Sequence, residues 1–128
     1  MLKALLGKKV GMTQVFDTNG NVVPVTVVDI SHWLVTQINT VEKNGCSSLQ
    51  VGLVRKRFRA KDFSVDWLKN KKRYFSYMKE VALESDEHEF LLGQAVTVGH
   101  TGWQDGQVVQ VTGKTKGLGF QGVVKRWN

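Results

Sequence analysis

The sequence predicts a mainly β protein with a small α content, built as a small barrel. Three observations carry this: Asn-Gly turn signals, β-branched runs that alternate with polar residues, and a high valine content. Lys9 to Phe16 is the first run, and Asp17-Thr18-Asn19-Gly20-Asn21 closes it, because Asn and Gly both tolerate the positive φ that a tight hairpin needs. Val22 to Ile30 is the second. Pro24 lies inside it and has no N–H to give to a ladder, so this strand is expected at an edge or bulged there. Trp33 to Thr40 alternates again, Lys43-Asn44-Gly45 predicts a second hairpin turn, and Ser48 to Val54 completes a four-stranded meander.

The composition changes after Val54. Between Arg55 and Lys79 stand ten basic residues against Asp62 and Asp66, a net of +8, so the remainder of the 128-residue chain sums to −1. Phe63 to Lys71 reads as a short helix with Trp67 and Leu68 inward and an N-cap at Asp62 or Ser64. Tyr74 to Leu83 reads as a strand and Glu84 to Glu89 as an acidic turn. Phe90 to Val98 and Val108 to Thr112 are expected as two further strands linked by the Gly99–Gly106 loop. The resulting division is 1–54 for the first barrel strands, 55–89 for a basic insert, 90–112 for further barrel strands and 113–128 for a basic glycine loop leading into a short helix.

A net charge of +7 makes nucleic acid the first partner to consider, and the clustering of that charge strengthens the reading. A single cysteine, Cys46, excludes an internal disulfide framework and suits a reducing compartment. The N-terminus lacks the apolar stretch of a secretory signal, and no segment has the ~20 apolar residues of a membrane span. An intracellular, soluble protein is expected.

The tail offers the clearest anion site. Gly113-Lys114-Thr115-Lys116-Gly117-Leu118-Gly119 lets backbone N–H groups approach a phosphate, and a helix opening just after it would add partial positive charge. A nucleotide-binding P-loop would require glycine five residues before Gly113, where Val108 stands, so that reading fails. Phe120, Val123, Val124 and Trp127 fall on one helical face and are expected to anchor the helix on the barrel, with Lys125 and Arg126 off the stripe. In the Arg55–Lys79 segment, arginine and lysine alternate with Phe58, Phe63, Trp67, Tyr74, Phe75 and Tyr77. Guanidiniums pair phosphates and rings can stack on unpaired bases, but most of these rings are expected in the core.

No catalytic, metal or cofactor site is predicted. His32, His88 and His100 lie far apart, without cysteine or carboxylate at metal-ligand spacing. His88 reads as part of a solvated acidic turn, and Cys46 as a small strand residue beside a turn.

Two long blocks resemble a known family. Gly7-Lys8-Lys9-Val10-Gly11-Met12-Thr13-Gln14-Val15-Phe16 with Asn21–Val27, and the closing stretch Val111–Asn128, are similar to the bacterial-type large-subunit ribosomal protein three family. Gly93-Gln94 lies between the blocks in the family's order, and Arg55–Glu89 is the least similar part.

The resemblance implies a translation-protein-type β-barrel with a small basic inserted subdomain. It also implies a structural, non-enzymatic role in the large ribosomal subunit, whether in the cytoplasm or in an organelle. The partners would be large-subunit ribosomal RNA and neighbouring large-subunit ribosomal proteins, with no membrane and no small-molecule substrate. Lys8, Lys9 and the stretch holding Lys114, Thr115, Lys116, Gly117, Gly119, Lys125, Arg126 and Trp127 would contact RNA. To these the charge clustering adds Arg55, Lys56, Arg57, Arg59, Lys71, Lys72 and Arg73. The family continues past Lys-Arg-Trp-Asn into an arm that reaches toward the peptidyl transferase centre and then into strands that complete the barrel, so an incomplete barrel is expected for residues 1–128. The competing readings are a free-standing basic adaptor for anionic membranes or proteins, and a small flavin-binding barrel enzyme. Neither accounts for the two blocks.

Overall fold

The computed structural model describes residues 1–84 and 90–128, and within them the chain is mainly β. The acidic turn and His88 therefore lie outside the described residues, apart from Glu84. Five strands form: β1 (Lys8–Phe16), β2 (Val22–Asp29), β3 (Trp33–Asn39), β4 (Ser48–Val54) and β5 (Phe75–Ala82). They make two antiparallel sheets, a β1–β2 ribbon and a β3–β4–β5 sheet, and the described residues close no barrel.

The expected four-stranded meander breaks between β2 and β3. His32 adopts the left-handed conformation (φ 64), and Asp29 accepts the Ser31 backbone N–H at 2.9 Å, which turns the chain out of the ribbon instead of folding it back beside β2. Within the ribbon the Asn-Gly turn behaves as predicted, with Gly20 left-handed (φ 79) and Phe16 opposite Val22. Pro24 sits opposite Gln14 in a ribbon whose strands both have an unpaired edge, which satisfies the edge expectation.

The second turn is different from the predicted hairpin. Val41–Asn44 forms one turn of helix (α1), and Gly45, left-handed at φ 74, closes it by donating its N–H to the Val41 carbonyl at 2.8 Å. Residues 40–47 between β3 and β4 leave room for a helical turn, and glycine at the left-handed C-terminal position ends it.

Both faces of the three-stranded sheet are covered. On one face Leu2, Trp33, Val35, Leu49, Val51, Val81, Leu83 and Val96 make the main core. On the other, Val54, Trp67 and Phe75 are buried, with Leu34, Phe58, Phe63, Tyr74 and Met78 packed around them. The alternation of strand side chains sends Trp33 and Val35 to the first face and Leu34 to the second. The expectation that most insert aromatics are core residues holds for five of the six rings; Tyr77 is exposed.

The predicted helix over Phe63–Lys71 is divided. It becomes α2 (Asp66–Lys69) and α3 (Lys71–Tyr74), separated by Asn70, whose backbone (φ −127, ψ 57) is not helical. Trp67 and Leu68 do face inward. The N-cap position falls on Val65, which has no side-chain cap, so neither Asp62 nor Ser64 fills it; Ser64 Oγ only accepts the Asp66 N–H at 3.4 Å.

Neither of the two later strands forms. Residues 91–96 run beside the outer edge of β3 and bond to it in part, with Gly93 N–H to Val35 O (2.8 Å), Val35 N–H to Gln94 O (2.9 Å) and Val96 N–H to Trp33 O (2.9 Å). A left-handed Gly93 and the Gln94 side chain, which accepts the Leu91 N–H, fold this stretch as a turn, leaving only an isolated bridge between Leu34 and Ala95. Residues 108–112 are exposed and form no regular element; a strand needs a partner ladder, and no described residue supplies one.

Candidate nucleic-acid interface

The basic insert is organised from the end of β4. Arg55 leaves the strand in an extended conformation, and Lys56–Phe58 forms a 3-10 turn closed by the Phe58 N–H on the Arg55 carbonyl (2.9 Å). Phe58 turns inward, its ring 4.8 Å from that of Tyr74 and 5.9 Å from that of Trp67. The burial of this one ring sends its neighbours Lys56 and Arg57 outward to solvent.

Arg55 behaves unlike its neighbours. Its Nε donates to the Phe75 carbonyl (3.2 Å) and a terminal nitrogen to the Lys72 carbonyl (3.0 Å), so the guanidinium clips the turn to the C-terminal end of α3. Carbonyls at a helix end lack intrahelical donors, and a planar cation with several N–H groups suits them. Arg57 makes a longer bond of 3.4 Å to the Arg73 carbonyl, with its guanidinium 4.8 Å from the Phe58 ring centroid. Arg59 is half-buried and reaches the Val54 carbonyl at 3.5 Å.

Distant candidates converge here. Lys8, at the start of the ribbon, lines one groove with Arg55, Lys56, Arg57 and Arg59. Lys71, Lys72 and Arg73 line a second concavity with Lys69, a cation the sequence reading did not single out although it lies in the same charge run. Lys71 is half-buried, and its Nζ donates to Gln50 Oε1 (2.8 Å) and Gln37 Oε1 (3.1 Å), which ties α3 to the sheet. Lys61, also not anticipated, lines a pocket with His32 and Arg59. Among the described residues the sole ion pair joins Lys69 to Asp66 at 2.7 Å.

No family model matches the chain. Its whole length is similar, at 41% identity over 130 residues, to the large ribosomal subunit protein uL3 of Endomicrobium trichonymphae. It is likewise 42% identical over 131 residues to that of Syntrophotalea carbinolica. Over its whole length the chain is similar to proteins of the uL3 family. It spans 56% and 61% of the length of these two relatives, somewhat more than half of each.

The tail departs from its sequence-based picture. The helix (α4, Val123–Trp127) has five residues, and Phe120, Val123, Val124 and Trp127 are all exposed, Trp127 at 75%. The stripe docks on no described part of the fold. An apolar stripe fixes a helix only where a complementary surface meets it, and one turn sums too few peptide dipoles to make an anion site of its own. Among the glycines of the loop, Gly119 alone is left-handed (φ 71). Lys116 and Arg126 share a shallow concavity with Phe120 and Gln121, and the Arg126 guanidinium lies 5.7 Å from the Trp127 ring centroid.

His100 and Cys46 are placed apart from any chemistry. The His100 ring accepts the Thr97 N–H at Nδ1 (3.0 Å) in a capping box, and Cys46 is exposed beside α1. Among the described residues no three of His, Cys, Asp and Glu are grouped to hold a metal ion, and no helix is long and apolar enough to cross a membrane.

Proposed function

We propose that the chain is part of a structural constituent of the large ribosomal subunit, one that binds ribosomal RNA and supports subunit assembly near the peptidyl transferase region. The carrying observation is the Arg55–Lys79 segment, with ten cations against two carboxylates of its own and, among the described residues, a single ion pair. Cations gathered at that density favour a polyanion, and the similarity to uL3 proteins makes large-subunit ribosomal RNA the fitting one. Neighbouring ribosomal proteins would be its other partners, in the cytoplasmic ribosome. It would need no cofactor and perform no reaction of its own.

In this reading residues 55–89 form a basic inserted subdomain between barrel strands at 1–54 and 90–112, and residues 113–128 lead outward. Lys8, Lys9, Lys56, Arg57, Lys72 and Arg73 present charge to phosphates from the body of the protein. Lys114, Thr115, Lys116, Gly117, Gly119, Lys125, Arg126 and Trp127 do so from the tail, whose exposed, uncapped glycine loop can follow an RNA backbone closely. Arg55, Arg59 and Lys71 contribute charge while holding the insert in place.

The test is the salt dependence of RNA binding. Each phosphate contact contributes roughly 0.7–0.9 to the slope of log K against log salt. Changing Lys114, Lys116, Lys125 and Arg126 to alanine together should flatten the slope by about two to four units. An unchanged slope would remove the tail from the interface.

A further inference from the structure

The turn at residues 91–96 and the N-terminal segment meet at one residue. His100 closes a single 3-10 turn, Val98–His100, and its carbonyl accepts the Leu2 N–H at 2.9 Å. Leu2 is 1% exposed in the main core and bridges Leu83, so this bond ties the start of the chain to the sheet. The His100 ring meets Gln94, whose own carbonyl takes the Val35 N–H of β3. One residue therefore holds two segments, the first through its backbone and the second through its ring.

Donors surround that ring. Gln94 Oε1 accepts the Leu91 N–H at 3.0 Å, which fixes the amide and turns its Nε2 toward His100 Nε2 at 3.1 Å. The Thr97 N–H points at Nδ1 at 3.0 Å. Either neutral tautomer keeps one lone pair for these donors, whereas a doubly protonated ring has none. Proton uptake sets one N–H against the Gln94 amide and another against the Thr97 N–H. Among the described residues, Thr97 Oγ1, 3.0 Å from Nδ1, is the acceptor that remains.

We propose that His100 is an acid-sensitive latch: proton uptake by its ring frees the 91–96 turn and, through the same residue's carbonyl, loosens the N-terminal segment on the sheet. Histidine is the side chain that ordinarily changes charge between about pH 8 and 5. Neither β3 nor residues 91–96 carry an ionisable side chain to hold the charged ring in place. The charged groups on the other elements around it are the Met1 amine, Lys3, Glu84 and Asp105. Phe90, whose ring centroid lies 5.4 Å from that of His100, follows Asp86, Glu87 and Glu89 in the sequence. The latch is closed with the neutral ring and opens as the pH falls.

The experiment measures amide protection of Leu2, Gly93 and Val96 in the 128-residue chain at about pH 7.5 and about pH 5, each rate taken against the intrinsic exchange rate at the same pH. Protection should fall about tenfold at the lower pH, the effect of losing one or two neutral hydrogen bonds, while Leu49 in the central strand stays protected. H100Q keeps an acceptor for the Thr97 N–H, as glutamine does in an ordinary capping box, and cannot titrate, so its protection should be the same at both pH values. Q94E sets a carboxylate against Nε2 and should abolish or reverse the fall. H32N/H88Q, which removes the other two histidines, should retain it. Equal protection of the parent chain at both pH values would overturn the latch. So would an undiminished fall in H100Q or Q94E, or its loss in H32N/H88Q; should H100Q fail to fold, the other two variants decide.

Discussion

The rings of Trp67 and Tyr74 lie parallel, their centroids 5.1 Å apart and their planes 2° from coplanar orientation. This stack joins α2 to α3 across the break at Asn70, and Phe58, Phe63 and Phe75 close around Trp67 at centroid distances of 5.8 to 6.3 Å. Four-residue helices are not stable by themselves, so the aromatic cluster is what keeps the basic insert folded.

Trp67→Ala should therefore lower the unfolding free energy by about 3–5 kcal/mol, the usual range for removing a buried Trp. Urea titration followed by circular dichroism measures it. A loss below about 1 kcal/mol would mean that the insert does not depend on the cluster.

Two glycines should respond differently to alanine. Gly20 and Gly93 are both left-handed, at φ 79 and φ 83, but a side chain at Gly20 would meet open space whereas one at Gly93 would overlap the Phe63 ring. Gly20→Ala should cost about 1–2 kcal/mol, the left-handed penalty alone. Gly93→Ala should cost at least about 1 kcal/mol more, because Phe63 must shift within a packed cluster. Equal losses in thermal or urea unfolding would contradict the close approach.

Arg55→Lys should separate packing from charge. A lysine keeps the positive charge but cannot span the Phe75 and Lys72 carbonyls with a planar fork. The expected loss of stability is about 1–3 kcal/mol, with the salt slope of RNA binding unchanged. A large fall in that slope would show that Arg55 contacts phosphate directly.

Asp29 predicts a weak acid-side dependence. Hydrogen bonds from the Ser31 side chain and backbone hold its carboxylate below the ordinary value of 3.8, with the nearby positive groups His32 and Arg59 acting in the same direction. A lowered folded-state value stabilises the protein above the unfolded value, and the contribution is lost as pH falls through the folded one. Asp29→Asn should flatten the pH dependence of stability below pH 3.8 and leave it unchanged near neutrality. An identical acid limb in both proteins would count against the Ser31 contacts.

Much of the strand content was legible in the chain. β1 to β4 fall where alternation and β-branched runs place them, because alternation reports local burial on two faces of a pleat, whereas the residues of β5 fit helix as well as strand. The basic insert was equally plain, since charge is a property of composition and not of folding. Two of the expectations that failed depended on a partner. Among the described residues Val108–Thr112 finds no ladder, and the Phe120–Trp127 stripe finds no surface to dock on.

The sequence by itself determined the β-rich class, the turn at Asn19-Gly20 and the concentration of charge between Arg55 and Lys79. Only the tertiary structure decided that Lys8 shares a groove with Lys56 and Arg57, and that Arg55 and Lys71 spend their donors inside the protein. The reason is physical: a residue's type sets its charge and hydrogen-bonding capacity, but whether these face a neighbouring carbonyl or solvent is settled by packing between segments distant in sequence.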